Sequence, residues 1–341
     1  MRKDTKTLIC IGTGGVGKTT IAAALAVGKA REGLKVLVLT IDPSQRLAQT
    51  LRISTDGDVH KVDNNLFAAT INHTKSFSHF IKKAAQKDHV KPQEIDTILN
   101  NKLYQQLSTQ LSGSQDFTSL FTLNEFVKSG EYDLVILDTP PAQHTWGFLH
   151  APEKIAQLFN EGIAQWFRDP ADKNTGLLKK ILNMGTSQVL KALETLTGSE
   201  FIKELGQFFS AVQKWQAPLE KQVWDCHKLL TSSSTEFILV TALDPSRINE
   251  AIKLSQAINQ QGYNLRSIII NRIPEWITHI KGVQSPFIKD YGSYLNKLIT
   301  QVTDIKAQVG NNLQVYKSAE ISQNQNHIDV LQEIYTNIHT F

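Results

Sequence analysis

The sequence predicts an α/β fold: a mostly parallel sheet with helices on both faces and a helical subdomain inserted into it. Three observations carry that expectation. Short, near-continuous apolar runs recur along the chain, most of them separated by helical periodicity, as strands buried on both faces should be. The first run passes into an alanine-rich helical stretch through a cluster of glycines, Gly12-Thr13-Gly14-Gly15-Val16-Gly17. Two gaps between runs are too long for a simple crossover, and the second is rich in aromatic residues at helical spacing.

Taken in order, Thr7-Leu8-Ile9-Cys10-Ile11 reads as the first strand, and Ile21 to Ala30 as a helix with apolar residues on nearly every side. Gly33 caps that helix at its C-terminal end, and Lys35 to Thr40 is the second strand. Leu66 to Ile71, Leu134 to Leu137, Phe237 to Val240 and Ser267 to Ile270 are the next four. The gap before Phe237 carries Ile155, Leu158, Phe159, Ile163, Trp166 and Phe167, then Phe201, Leu205, Phe208, Phe209, Val212 and Trp215 at helical spacing. Asp169-Pro170 and Gly198-Ser199 break it into separate helices. Residues 1–72, 131–150 and 236–341 therefore read as the core, and 73–130 and 151–235 as the inserted helical subdomain. The aromatic stripes read as an internal helical core, with a groove for an apolar partner as the alternative. A last helix from Ile328 to Ile338, with Asp329, Glu333 and no basic face, reads as a packing helix and not a membrane anchor.

Composition narrows the class. A length of 341 residues accommodates one large α/β domain or two smaller ones. A net charge of +4, with the bases spread along the chain, does not indicate nucleic-acid binding. No apolar run approaches the roughly 18 residues needed to span a bilayer. Met1 to Lys6 runs straight into the first strand with no signal-peptide pattern. Only Cys10 and Cys226 are present, far apart, which supports neither a disulfide framework nor a cysteine metal site. The expected location is the cytoplasm.

The glycine cluster continues as Gly17-Lys18-Thr19-Thr20 and fits G-x-x-x-x-G-K-[ST], the phosphate-binding loop. A strand that becomes a helix through glycines leaves backbone N–H groups converging on one point, where the helix dipole and the Lys18 ammonium add positive charge. The same glycines satisfy G-x-G-x-x-G, and Asp42 follows the second strand where a dinucleotide fold keeps its ribose-binding acid. Lys18-Thr19 decides against that rival, because a triphosphate needs the cation and Mg²⁺ needs the hydroxyl. The core is thus read as a phosphate-binding-loop core that takes a triphosphate and Mg²⁺. Gly14, Gly15, Val16, Gly17 and Lys18 form the cradle, and Thr19 is the magnesium ligand. Thr20 either reaches the α-phosphate or is an exposed first-turn residue.

Phosphoryl transfer to water asks a protein for positioning and charge stabilisation. Asp138 ends the run Leu134-Val135-Ile136-Leu137, at the carboxyl edge of a parallel sheet where ligands bind. It is read as serving magnesium through a bound water, against the alternative of an acid that begins a turn before Pro140. Asp42, in Thr40-Ile41-Asp42-Pro43-Ser44, has a helix N-cap signature. The chain repeats the phrase as Leu243-Asp244-Pro245-Ser246, so capping alone explains Asp42 as well as catalysis does.

These motifs resemble the ATPases of the arsenite-pump (ArsA-type) and tail-anchored-protein targeting family, within the class of the MinD and ParA partitioning ATPases. The resemblance lies in Gly12–Thr20, Thr40–Leu51, Leu137–Leu149 and Ile268–Arg272, in order along most of the chain. It implies a dimer that closes over ATP, with switch segments that change conformation on hydrolysis. It implies that Asp42 orients the attacking water beside Lys18, and that Asp138 and Thr139 begin a second switch continuing through His144-Thr145 and Phe148-Leu149. It implies that Asn271 hydrogen-bonds adenine. Four departures stand out. Thr13 occupies the position of the family's signature lysine, which reaches the partner's nucleotide; Arg46 and Gln143 are candidate substitutes. The arsenite-binding cysteines and the zinc-binding Cys-x-x-Cys pair are absent, and Met1 and Met184 are the only methionines. Leu313 to Lys317, expected as the adenine-flanking loop, lacks its proline. The resulting expectation is a Mg²⁺-dependent ATP-hydrolysing switch, a homodimer or a heterodimer with a paralogue, with an unidentified protein client at the helical subdomain. The alternatives are a nucleotide-gated adaptor with little hydrolysis of its own, and an enzyme active only with a paralogous partner.

Overall fold

The structure is a computed structural model that describes residues 2, 4–41, 46–86, 95, 99, 114–140, 147–153, 216–274, 285–309, 313–320 and 327–340. Asp42, Gln143, His144, Thr145, Trp166 and Trp215, and with them most of the aromatic insert, lie outside the described residues. In chain order the elements are β1 (Thr7–Gly12), α1 (Lys18–Arg31), β2 (Val36–Thr40), α2 (Arg46–Leu51), β3 (His60–Asp63), β4 (Leu66–Thr70), α3 (His73–Gln86) and α4 (Ser114–Ser129). They continue with β5 (Leu134–Asp138), α5 (Gln216–Thr231), β6 (Thr235–Ala242), α6 (Pro245–Gln260), β7 (Leu265–Ile273), α7 (Pro286–Val309), β8 (Gln314–Ala319), α8 (His327–Thr336) and β9 (Ile338–Thr340).

The chain divides into two compact units. The first, residues 1–72, 122–149 and 227–341, holds a sheet in the order β3-β4-β2-β5-β1-β6-β7-β8-β9. Its pairings are parallel except at the two edges, where β3 on β4 and β9 on β8 run antiparallel. The fold is α/β with a mostly parallel sheet, and the six apolar runs are six of its seven inner strands. Their lack of alternation has a direct cause: both faces are covered. Leu8, Cys10, Val36, Val38, Ile136 and Val240 pack with Ala22, Ala26, Leu47, Leu331 and Ile334 from α1, α2 and α8. Ile9, Ile11, Leu37, Leu39, Leu137 and Leu239, the intervening residues, are buried as well. Each fully buried aliphatic side chain contributes about 1.5–3 kcal/mol, so this double-sided core fixes where the strand ends lie.

Three strands have no counterpart among the expected ones. β3 and β9 are short edge strands whose residues are mostly half-buried or exposed, so they lack the apolar run that marks an inner strand. β8 incorporates Gln314 to Lys317, which pairs parallel with β7 where a loop was expected. The last helix stops at Thr336, short of Ile338, which opens β9. Pairing of Ser318 with Ile338 takes up a residue that helical periodicity alone assigns to α8.

The second unit comprises residues 73–121 and 150–226. Its described part is held by aromatic packing: Phe80 meets Phe117 and Phe121 edge-on at 4.9 and 5.4 Å between ring centres. Gln222 Nε2 donates to the Phe80 carbonyl at 3.3 Å, and the His73 Nδ1 and Thr118 Oγ1 atoms lie 2.9 Å apart in a hydrogen bond. Among the described residues no helix is long and apolar enough to cross a membrane.

Candidate functional site

The strand ends bring the sequence-predicted residues to one edge of the sheet. Cys10, Asp138 and Thr40 share one row across β1, β5 and β2, and Gly12 lies opposite Val240 on β6. β1 ends at Gly12 because a Cβ there would overlap the Val240 carbonyl oxygen, so only glycine lets the chain leave the sheet this close to β6. The loop then alternates exposure and anchoring. Gly15 stands exposed with open space where a Cβ would be, while Val16 is buried in the core.

Gly17 ends the loop at φ 91° and ψ 26°, a left-handed conformation, and is the N-cap of α1. No side chain caps the helix there, and its first turn carries no acid. The first-turn N–H groups are therefore open to an anion from outside the chain. Lys18 is buried, and its Nζ donates to the Thr13 carbonyl at 2.9 Å, closing the loop on itself.

Asp138 is fully buried, a costly place for a carboxylate without polar partners. Its Oδ2 accepts from Thr19 Oγ1 at 2.9 Å and from Thr40 Oγ1 at 3.2 Å. The P-loop hydroxyl and the strand-terminal acid thus meet directly, although 119 residues separate them. Thr139 Oγ1 donates to the Cys10 carbonyl at 2.7 Å and pins the chain just after the acid. Thr40 was missed from sequence; its signal is that it ends a strand whose register sets it beside Asp138. Burial and the Asp138 charge push the Cys10 thiol well above its usual range, Lys18 opposing them.

These residues fit a nucleotide and its metal. A carboxylate and hydroxyls make an all-oxygen donor set, which suits a hard divalent cation. The loop supplies uncapped N–H groups and a lysine. The remaining candidates divide. Asn271, buried at the end of β7, donates from Nδ2 to the Val16 carbonyl at 2.9 Å and so joins the loop. Thr20 is half-buried on the first turn of α1, and Arg46 opens α2 with its side chain exposed. Asp42 lies outside the described residues, but its repeat is informative. Asp244 caps α6, accepting from the Ser246 and Arg247 N–H groups at 3.0 and 3.1 Å, with Pro245 in the first turn. Those bonds hold its carboxyl below the usual range.

The profile of the family described as anion-transporting ATPase matches residues 5–305, nearly the whole chain including the loop, both strand ends and Asn271. The chain belongs to this family. Relatives within it carry names for two settings. ATPase GET3B of Arabidopsis thaliana is 26% identical over 280 residues, covering 77% of this chain and 62% of the relative. A putative arsenical pump-driving ATPase of Chlorobaculum tepidum is 22% identical over 293 residues, covering 81% of this chain and 65% of the relative. The chain therefore spans a little less than two-thirds of the length of either. A second arsenical pump-driving ATPase of that description, from Aquifex aeolicus, is 22% identical and is covered over 87% of its length. ATP hydrolysis is the activity that the names of these family members share.

Thr13, where the resemblance leads one to expect a lysine, has a visible environment. It is fully buried, and its Oγ1 meets no hydrogen-bond partner among the described residues. Both cysteines are buried, Cys10 in β1 and Cys226 in α5.

Proposed function

We propose that this chain is a Mg²⁺-dependent ATPase whose hydrolysis cycle drives a conformational switch in the cytoplasm. The observation that supports it most is the bond from Thr19 Oγ1 to Asp138 Oδ2, which joins the loop hydroxyl to the strand-terminal acid beside an uncapped helix N-terminus. In this reading Gly14, Gly15, Val16, Gly17 and Lys18 cradle the phosphates, with Thr20 beside them on the first turn. Thr19 and Asp138 hold the magnesium ion, which when bound neutralises phosphate charge. Asp42 orients the attacking water, and Lys18 exchanges its Thr13 carbonyl for phosphate oxygens. Asn271 belongs to the nucleotide site and, by the resemblance, contacts adenine.

Residues 1–72, 131–150 and 236–341 form the ATPase core in this proposal. Residues 73–130 and 151–235 pass its nucleotide state to a protein client. The working unit is a dimer, with a second copy or a paralogue. The arsenical role in some relatives' names is not extended to this chain, whose two cysteines are both buried.

Calorimetric titration with ATP tests the site. Wild-type protein should bind ATP with Mg²⁺ more tightly than with EDTA. Thr19→Ala and Asp138→Asn should shrink that difference, and Lys18→Ala should weaken binding with or without the metal. Equal affinity with and without Mg²⁺ in the wild type would remove Thr19 and Asp138 from the metal site.

One observation favours a second reading, a nucleotide-gated adaptor or an enzyme that needs a paralogue. Thr13 is fully buried and too short to reach a neighbouring subunit, so it does not replace the signature lysine. ATP binding without phosphate release, restored by mixing with a paralogue that carries that lysine, would support it.

A further inference from the structure

Strand β7 leaves regular pairing where it passes the loop. Ile270 pairs with Lys317 and Ile273 with Ala319, so Asn271 and Arg272 together stand opposite Ser318. Arg272 sits at φ 58°, in the left-handed region that residues with a Cβ seldom adopt. A bulge of this kind re-aims the side chain next to it, and strain retained near a site points to a role there. The neighbour is Asn271, buried, with Nδ2 donating to the Val16 carbonyl at 2.9 Å. The loop has the complementary feature: a Cβ on Gly17 would overlap the same carboxamide nitrogen. Two segments separated by 255 residues are thus shaped to one contact.

That contact acts on the group that meets phosphate. In a trans peptide the C=O and N–H point in opposite directions. Tying the Val16 carbonyl to β7 therefore turns the Gly17 N–H away from β7. It also keeps the carbonyl's negative end occupied, where it cannot face an anion in the cradle. The buried Val16 side chain holds the same residue from the core.

We propose that Asn271 is a positioning residue for the phosphate cradle, holding the Val16–Gly17 peptide in its anion-binding orientation, in addition to any contact with the base. The proposal rests on reading the loop as a triphosphate site. It makes a prediction that base recognition does not: the effect of Asn271 extends to ligands that have no base.

The test is titration of Mg-ATP and of Mg-tripolyphosphate, which lacks a nucleoside, into wild type, Asn271→Ala and Asn271→Leu. Asn271→Leu keeps close to the side-chain volume and removes the donor without adding charge, so it decides if the alanine variant folds poorly. Both variants should lose about three- to tenfold in affinity for both ligands, as expected for one lost hydrogen bond. Melting of the ligand-free protein is followed in parallel. A purely structural residue would lower that melting temperature and leave the affinity of the folded protein unchanged, which overturns the proposal. Loss confined to ATP assigns Asn271 to the base alone and also overturns it, as does unchanged affinity for both ligands. Wild-type protein that binds neither ligand removes the triphosphate reading itself, a failure seen before any variant is made.

Discussion

Cys10 shows how closely the residues at the strand ends determine one another's chemistry. Its carbonyl accepts from Thr139, and its register partner on β5 is Asp138. Only a thiolate reacts readily with disulfide reagents, and burial beside a carboxylate opposes forming one. Cys10 and Cys226 should therefore stay unreactive toward a disulfide reagent at pH 8 in the folded protein and both titrate after denaturation; rapid labelling of either in native buffer would contradict their burial. At this scale the loop was legible because its chemistry demands particular residue types at fixed spacing. Lys18, Thr19 and Asp138 are such residues. Thr40 and the Asn271–Val16 bond were not legible, since a hydroxyl or amide becomes part of a site only through register and a bulge. The burial of Thr13 was not legible either.

The helix pair α1 and α8 illustrates which elements sequence pattern reveals. Alanines on nearly every side of α1 announced a helix buried all round, and α8 covers part of it with Leu331 and Ile334. Tyr335 of α8 lies against Gly28, where a Cβ would overlap the base of its ring. Its hydroxyl donates to Glu32, which also pairs with Lys29 at 2.7 Å. Two effects of Gly28→Ala oppose each other. Helix propensity favours alanine by about 1 kcal/mol, and overpacking against the ring costs about 1–3 kcal/mol. The substitution should therefore destabilise wild type by roughly 1 kcal/mol in urea unfolding, yet stabilise a Tyr335→Ala background by a similar amount. Stabilisation in both backgrounds would mean that the ring moves aside at no cost. The inner strand β8 and the 24-residue helix α7 were not legible, whereas the other six inner strands and α1 were, because burial on both faces or all round leaves a continuous apolar record. The edge strands β3 and β9 leave none, and β9 depends on pairing with β8, a contact that composition does not encode.

For the whole molecule, the family assignment and the mostly parallel sheet were readable from a few motifs in order. Those motifs sit at strand ends that the double-sided core holds fixed. The inserted helical subdomain, expected from two gaps too long for a crossover, and its role in passing nucleotide state to a client are both proposals about the assembled molecule. A ligand that binds only the folded protein stabilises it by mass action, about 2.7 kcal/mol at a hundred times its dissociation constant. Saturating Mg-ATP should accordingly raise the melting temperature by a few degrees, and EDTA should reverse most of that rise; no shift with Mg-ATP would argue against the site. The most direct measurement is phosphate release from Mg-ATP by wild type and by Asp42→Asn, with ATP binding followed alongside. Steady turnover that falls by about a hundredfold or more in the variant while ATP still binds is the expected result, the range for a lost proton-transfer or water-orienting group. Wild-type protein that binds Mg-ATP and releases no phosphate would contradict the assignment of this chain as an ATPase on its own.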